Sequence, residues 1–187
     1  DPDADSIAAA VAGWRTRLGL ALGAAKGVLY LHTRSPPVLH RDLKAANLLI
    51  GAGMTAKVAD FNLARLEAAA PSGGSSAGAA VNPRWTAPEV LAGAPPSPAA
   101  DVYAFGVLLW ELAAWDTPWR GAGHWHVALS AARGERPPLP GDLASLPGGA
   151  PADASGYVAL MRACWSHEAG ARPGFGRAEA FSEHFRE

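Results

Sequence analysis

His40-Arg41-Asp42-Leu43-Lys44-Ala45-Ala46-Asn47 places an acid, a base and an amide within one short stretch. Val38 to His40 reads as a short extended segment, so the residues from Arg41 form a tight loop behind it. Eighteen residues after Asp42 stands Asp60-Phe61-Asn62. Between the two, Leu48-Leu49-Ile50 and Lys57-Val58-Ala59 flank Gly51-Ala52-Gly53, the pattern of a small β-hairpin. Two carboxylates and one amide are thus held on opposite sides of a hairpin. Asp42 can orient a hydroxyl, while Asn47 and Asp60 can hold a hard divalent ion through oxygens. Alone, Asp42 would read as a loop aspartate capping a turn. Asn47 and Asp60 in register favour the chemical reading.

Outward from this centre the chain is helical. Trp14, Leu18, Leu22, Ala25 and Leu29 recur at helical spacing up to His32, predicting one buried face. Pro36-Pro37 stops that helix. Gly19 to Gly27 has no GxGxxG pattern and lies inside it. Pro88 to Leu91 predicts a short helix. Ala99 to Trp115 is apolar nearly all round and predicts a central buried helix. Further helices are expected over Trp125 to Arg133, Tyr157 to Trp165 and Arg177 to Phe185. Residues 1–13 read as a lead-in and residues 68–80, small and polar, as a loop. The expected fold class is mainly α with a small β-hairpin.

Composition narrows the function classes. Of 187 residues, 49% are hydrophobic and 18% charged, which fits one folded domain. A net charge of -1 offers no field for nucleic acid and no polybasic membrane patch. Glu111 interrupts the longest apolar run, Val102 to Trp115, which is too short for membrane insertion. A single cysteine, Cys164, fits a reducing, cytoplasmic setting and reads as a buried apolar-like residue. His124-Trp125-His126 lacks a third ligand nearby, so a surface turn is expected there rather than a metal pair. The seven tryptophans are expected in core and lobe packing rather than in a base-stacking platform.

Three stretches in order, 40–47, 60–62 and Ala87-Pro88-Glu89, resemble the signature set of eukaryotic protein kinases. Asp101-Val102-Tyr103-Ala104-Phe105-Gly106 resembles the start of the family's central helix, and Cys164-Trp165 with Arg172-Pro173 its closing motif. The resemblance runs from about Trp14 to Phe185. Arg84-Trp85-Thr86-Ala87-Pro88-Glu89 and Trp115-Asp116-Thr117-Pro118-Trp119 are similar to the tyrosine-kinase-like branch of serine/threonine kinases.

The resemblance implies the roles. Asp42 is the expected base for a substrate hydroxyl, and Lys44 steadies the transferring phosphate. Asn47 and Asp60 are the expected Mg²⁺ ligands, and Leu49 the apolar floor beneath the adenine of ATP. Arg41 would receive an activation-loop phosphate, with Ser72, Ser75 or Ser76 as the phosphosite. His40 is expected to pack structurally on Phe61. Glu89 and Arg172 are expected as a buried ion pair, and Asp101 as the acid holding the catalytic-loop backbone. Asn62 departs from the family's usual Gly, and Asn82 stands where Thr or Ser usually approaches the catalytic Asp.

The family's Gly-rich loop, strand lysine and helix glutamate have no counterpart before Trp14. The expectation is therefore a kinase C-terminal lobe over residues 14–187, with the N-terminal lobe absent. Its expected partners are a protein substrate and an N-lobe or other protein covering the exposed cleft. Little activity is expected of this chain alone. Two functions remain open: an ATP-dependent serine/threonine kinase lobe, or a truncated, pseudokinase-like interaction module.

Overall fold

Alanine, leucine and glycine dominate Trp14–His32, and this stretch forms helix α1 in the computed structural model, which describes residues 13–60, 65–66, 82–139 and 154–175. The buried residues of α1 are Trp14, Arg17, Leu20, Ala21, Ala24, Ala25 and Val28. The buried stripe is therefore rotated from the one expected, and Leu18, Leu22 and Leu29 are only partly covered. Close approach explains the rotation. A Cβ on Gly23 would lie 2.9 Å from the Ala56 carbonyl oxygen, and one on Gly27 2.8 Å from Val58 Cγ2. Small residues face the hairpin because larger ones have no room there.

After α1 the chain runs through β1, Val38–Leu39, and a 3-10 turn over Ala45–Asn47. The hairpin follows: β2, Leu48–Gly51, pairs antiparallel with β3, Thr55–Val58, in the register Leu48 to Val58. Its connection is a 3-10 turn over Ala52–Met54, with Gly53 at φ 71°. β4, Arg65–Leu66, pairs antiparallel with β1, a second small sheet that two-residue segments could not announce.

Four more helices are described: α2, Pro88–Leu91; α3, Pro98–Ala114; α4, His124–Ala132; and α5, Ser155–Cys164. Every residue of α3 from Asp101 to Trp110 is buried, which makes this helix the axis of the core. Full burial of Phe105, Leu108 and Leu109 contributes about 1.5–3 kcal/mol each. Arg17 reaches across from α1 and donates from Nη1 to the carbonyls of Leu112 and Ala113, at 3.3 and 3.2 Å. A cation thereby satisfies the end of α3, where helix carbonyls are left over. Trp14 meets Tyr157 of α5 edge-on at 5.0 Å, and Phe105 meets Phe175 at 5.3 Å.

Two expectations need correction. Trp125 is 82% exposed, so the tryptophans are not all in the core. His124, Trp125 and His126 open helix α4 rather than forming a turn, and no group of three or more His, Cys, Asp or Glu fit for a metal occurs among the described residues. The helix expected over 177–185 and the loop over 68–80 lie outside the described residues, as do Phe61, Asn62, Ser72, Ser75 and Ser76.

Candidate active site

Helix α3 carries the acid that shapes the loop. Asp101, 2% exposed, accepts the backbone N–H of His40 at Oδ2 and that of Arg41 at Oδ1, both 2.8 Å. His32 Nε2 also meets Asp101 Oδ2 at 2.8 Å. Arg41 sits at φ 69°, a left-handed conformation that costs a side-chain-bearing residue energy and persists only under such constraint.

His40 is fully buried and joins the loop to the end of the hairpin. Its Nδ1 accepts the Asp42 N–H at 3.3 Å, and its Nε2 lies 3.0 Å from the Ala59 carbonyl. A carbonyl only accepts, so the proton is on Nε2. The Ala59 N–H in turn donates to the Asn47 carbonyl at 2.9 Å. Asp60, exposed and at φ 62°, follows directly after Ala59.

Lys44 Nζ donates to both oxygens of Asp42, at 2.9 and 2.7 Å. Asn47 Nδ2 donates to the Asp42 carbonyl at 2.7 Å and to Asp42 Oδ2 at 2.9 Å. Both acceptors lack protons, which fixes the amide orientation chemically. The amide nitrogen is turned to Asp42, and the amide oxygen remains as an acceptor. That oxygen and the Asp60 carboxylate are hard donors of the type Mg²⁺ takes, so the residues fit such an ion.

Around this centre, Leu49 and Ile50 stand out from β2, 61% and 47% exposed. Glu89 and Arg172 form a bidentate pair at 2.6 and 2.8 Å. All five guanidinium N–H groups of Arg172 find acceptors, the others being the carbonyls of Ser166, Ala99 and His167. The Arg172 side chain is fully buried, whereas Glu89 keeps 24% exposure, so the pair is buried on one side only. Burial alone would raise the Glu89 pKa, but the Arg172 contacts outweigh it and hold the carboxyl below the usual range. Asn82 accepts the Arg84 N–H at its side-chain oxygen, 3.3 Å away.

Sequence reasoning gave Glu111 no role beyond interrupting an apolar run. Its Oε2 accepts the Ala45 N–H at 3.0 Å and the Trp85 indole N–H at 2.8 Å. The available signal was that lone acid in an otherwise apolar helix. Burial pushes its carboxyl up to about 7, against the bonds from Ala45 and Trp85 and the charge of Lys44.

The structure thus brings Lys44 and Asn47 onto the Asp42 carboxylate in a loop fixed to a helical body by Asp101. Residues 9–181 match the family model described as protein tyrosine and serine/threonine kinase. The chain is 42% identical over 162 residues, 86% of its length, to the serine/threonine-protein kinase CTR1 of Arabidopsis thaliana, and covers 18% of that protein. It is 42% identical over 128 residues to the probable serine/threonine-protein kinase drkA of Dictyostelium discoideum, covering 68% of this chain and 19% of that one. With drkD of the same organism the identity is 39% over 165 residues, 87% of this chain and 12% of the relative. The chain thus spans less than a fifth of the length of these relatives. It belongs to the protein kinase family, and the serine/threonine kinases it matches fit the tyrosine-kinase-like wording of residues 84–89 and 115–119.

Proposed function

We propose that this chain is the C-terminal lobe of a serine/threonine protein kinase that transfers the γ-phosphate of ATP to a protein hydroxyl. The observation that carries the reading is the convergence of Lys44 and Asn47 on the Asp42 carboxylate, with Asp60 next in sequence to Ala59, which bonds to Asn47 and His40. In this reading Asp42 accepts the proton of the substrate hydroxyl. The hydroxyl oxygen bonds to the γ-phosphorus as the bond to the β–γ bridging oxygen breaks. Lys44 holds the transferred phosphate, and Leu49 supports the adenine. Asn47 and Asp60 are the ligands for Mg²⁺, which when bound neutralises charge on the phosphates. Arg41 is the proposed acceptor for a phosphate at Ser72, Ser75 or Ser76. His40, Asp101, Glu89 and Arg172 hold the scaffold.

Exposed Leu49 and Ile50 support a further point: another body covers this strand, either an N-lobe or a partner protein. The same exposure favours the second reading, a non-catalytic module that docks a partner there. Buried Cys164, its thiol pushed up to about 12 by burial, suits a reducing cytoplasmic setting. No described helix is long and apolar enough to cross a membrane.

The test uses the full-length protein with Mg-ATP and a generic protein substrate. Phosphate on serine or threonine, lost in Asp60→Ala and restored in part by raised Mg²⁺ with Asn47→Ala, supports the kinase reading. No transfer by the wild type leaves the docking module.

A further inference from the structure

A cavity of about 310 Å³ opens between α1, the turn at Ala45, strand β2 and the end of α3. Its walls are apolar: Leu20 from α1, Leu48 and Ile50 from β2, and Leu112 and Trp115 from α3 and its cap. Leu48 and Ile50 share one face of β2, whereas Leu49 between them belongs to the other. The cavity is therefore separate from the strand face given above to adenine. Three charged side chains complete the lining: Glu111, Asp116 and Arg120. We infer that this cavity is a binding site for a small amphipathic ammonium ion, a primary amine on a compact apolar body, with the Glu111 carboxyl as its counter-ion. The site does not depend on the kinase reading.

Charge decides the chemistry of the ligand. Both bonds to Glu111, from the Ala45 N–H and the Trp85 indole, end on Oε2. Oε1 has no hydrogen-bond partner among the described residues and is not sealed from solvent. The charged groups facing Glu111 are Lys44 and the Asp116–Arg120 pair. Lys44 Nζ is committed to both oxygens of Asp42, and Arg120 to Asp116. The cavity thus holds two carboxyls against one guanidinium, and the more buried carboxyl lacks a cation of its own. A cationic N–H donor stabilises an ionised oxygen in such apolar surroundings. An anion would meet two carboxyls, and a neutral apolar molecule would leave Oε1 unpaired.

The walls are built before any ligand arrives. Trp115 caps α3 at φ 53°, and the Arg17 guanidinium lies 4.6 Å from its ring centroid. Arg17 is itself held by the Leu112 and Ala113 carbonyls. Small ligands use pre-formed, mostly apolar sites of this kind, with volumes of about 300–1,000 Å³. Burial holds the Glu111 carboxyl up at about 7, while an alkylammonium keeps its proton to about 10. The ammonium binds the ionised carboxyl, whose fraction rises from about 0.1 at pH 6 to about 0.9 at pH 8, so affinity rises about tenfold over that window.

The test is calorimetric titration of the full-length protein with phenethylamine, with 2-phenylethanol as its neutral counterpart and 3-phenylpropionate as its anionic one. Phenethylamine should bind one-to-one with a Kd of about 0.1–1 mM at pH 8, and about tenfold more weakly at pH 6. The alcohol should bind at least about tenfold more weakly at pH 8, and the anion should give no heat. Glu111→Gln should abolish the pH dependence. Ile50→Trp, at a partly exposed strand position, should block binding by filling the cavity. Arg120→Ala, which removes the one guanidinium, should tighten binding about two- to fivefold. A saturating non-hydrolysable ATP analogue should leave the Kd unchanged. Equal affinity for amine and alcohol overturns the site, as does an unchanged Kd in both Glu111→Gln and Ile50→Trp. Displacement by the ATP analogue, or no binding to the wild type at pH 8, overturns it equally. Nα-acetyl-lysine methylamide carries the same ammonium on a peptide, and tighter binding of it than of phenethylamine would overturn the small-amine reading in favour of a protein side chain.

Discussion

Helix α3 meets the loop of residues 40–47 with an acid near each end, and the two acids are held in opposite circumstances. Asp101, in the first turn, receives two backbone N–H groups and His32, and the helix macrodipole assists a carboxylate there. Glu111, in the last turn, receives one backbone N–H and an indole, and the macrodipole opposes its charge. Burial adds to that opposition and brings its carboxyl to about 7. One end of the loop is therefore fixed by many donors, while the other is fixed by an acid that changes state near neutral pH. The difference teaches that a buried acid's role depends on how many donors converge on it, not on burial alone.

The largest expected effect breaks the Asp101 end. Asp101→Ala leaves the buried His40 and Arg41 N–H groups without their acceptor and should cost about 3–5 kcal/mol in chemical denaturation. A loss below about 1 kcal/mol would show that the loop holds itself.

Next is the Glu89–Arg172 pair, which ties α2 to Arg172, itself bonded to the Ala99 carbonyl in the first turn of α3. Glu89→Ala strands a fully buried guanidinium. Partial exposure of Glu89 lowers the expected cost to about 2–3 kcal/mol, read from urea melts. With the Glu89 pKa depressed, its contribution is complete above the unfolded carboxylate range near ~4.3 and is lost as pH falls through the folded value. The destabilisation in Glu89→Ala should therefore shrink in acid. A cost independent of pH from 2 to 7 would contradict the pairing as its source.

Glu111 has the opposite sign. The folded chain keeps a proton that the unfolded chain has released, so this group makes stability fall as pH rises from about 4.5 to about 7. Glu111→Gln should remove that decline, on the order of 2 kcal/mol, in melts taken across the same window. Identical pH slopes in wild type and variant would remove the contrast between the two acids. The smallest effect sits on α3 between them. The Tyr103 hydroxyl is buried without a hydrogen-bond partner among the described residues, beside the guanidinium groups of Arg136 and Arg172 over its ring. Tyr103→Phe should leave stability unchanged or raise it by about 1 kcal/mol, measured as Tm. A clear loss would mean the hydroxyl has a partner.

Much of the site was legible because its chemistry is contiguous. Residues 40–47 carry acid, lysine and amide in one loop, and the hairpin that returns Asp60 to them announces itself through two apolar runs and a glycine pair. Asp101 was legible only through resemblance, since its partners lie 60 and 61 residues away. Glu111 was not legible as an anchor, because nothing in the local sequence names Ala45 and Trp85 as its donors. The buried stripe of α1 was misplaced for a related reason. Periodicity favours large apolar residues, but the close approach of β3 selects Gly23, Gly27 and the alanines between them. The β1–β4 pairing escaped because two residues show no alternation. Trp125 escaped because composition cannot separate a core tryptophan from an exposed one.

In the proposed reaction, the loop so anchored presents Asp42 as the base for phosphoryl transfer. The most direct test is kcat of full-length Asp42→Ala against wild type at saturating Mg-ATP and protein substrate. The expected result is a fall of about 10²–10⁴ with Mg-ATP binding retained. Turnover equal to the wild type would contradict it.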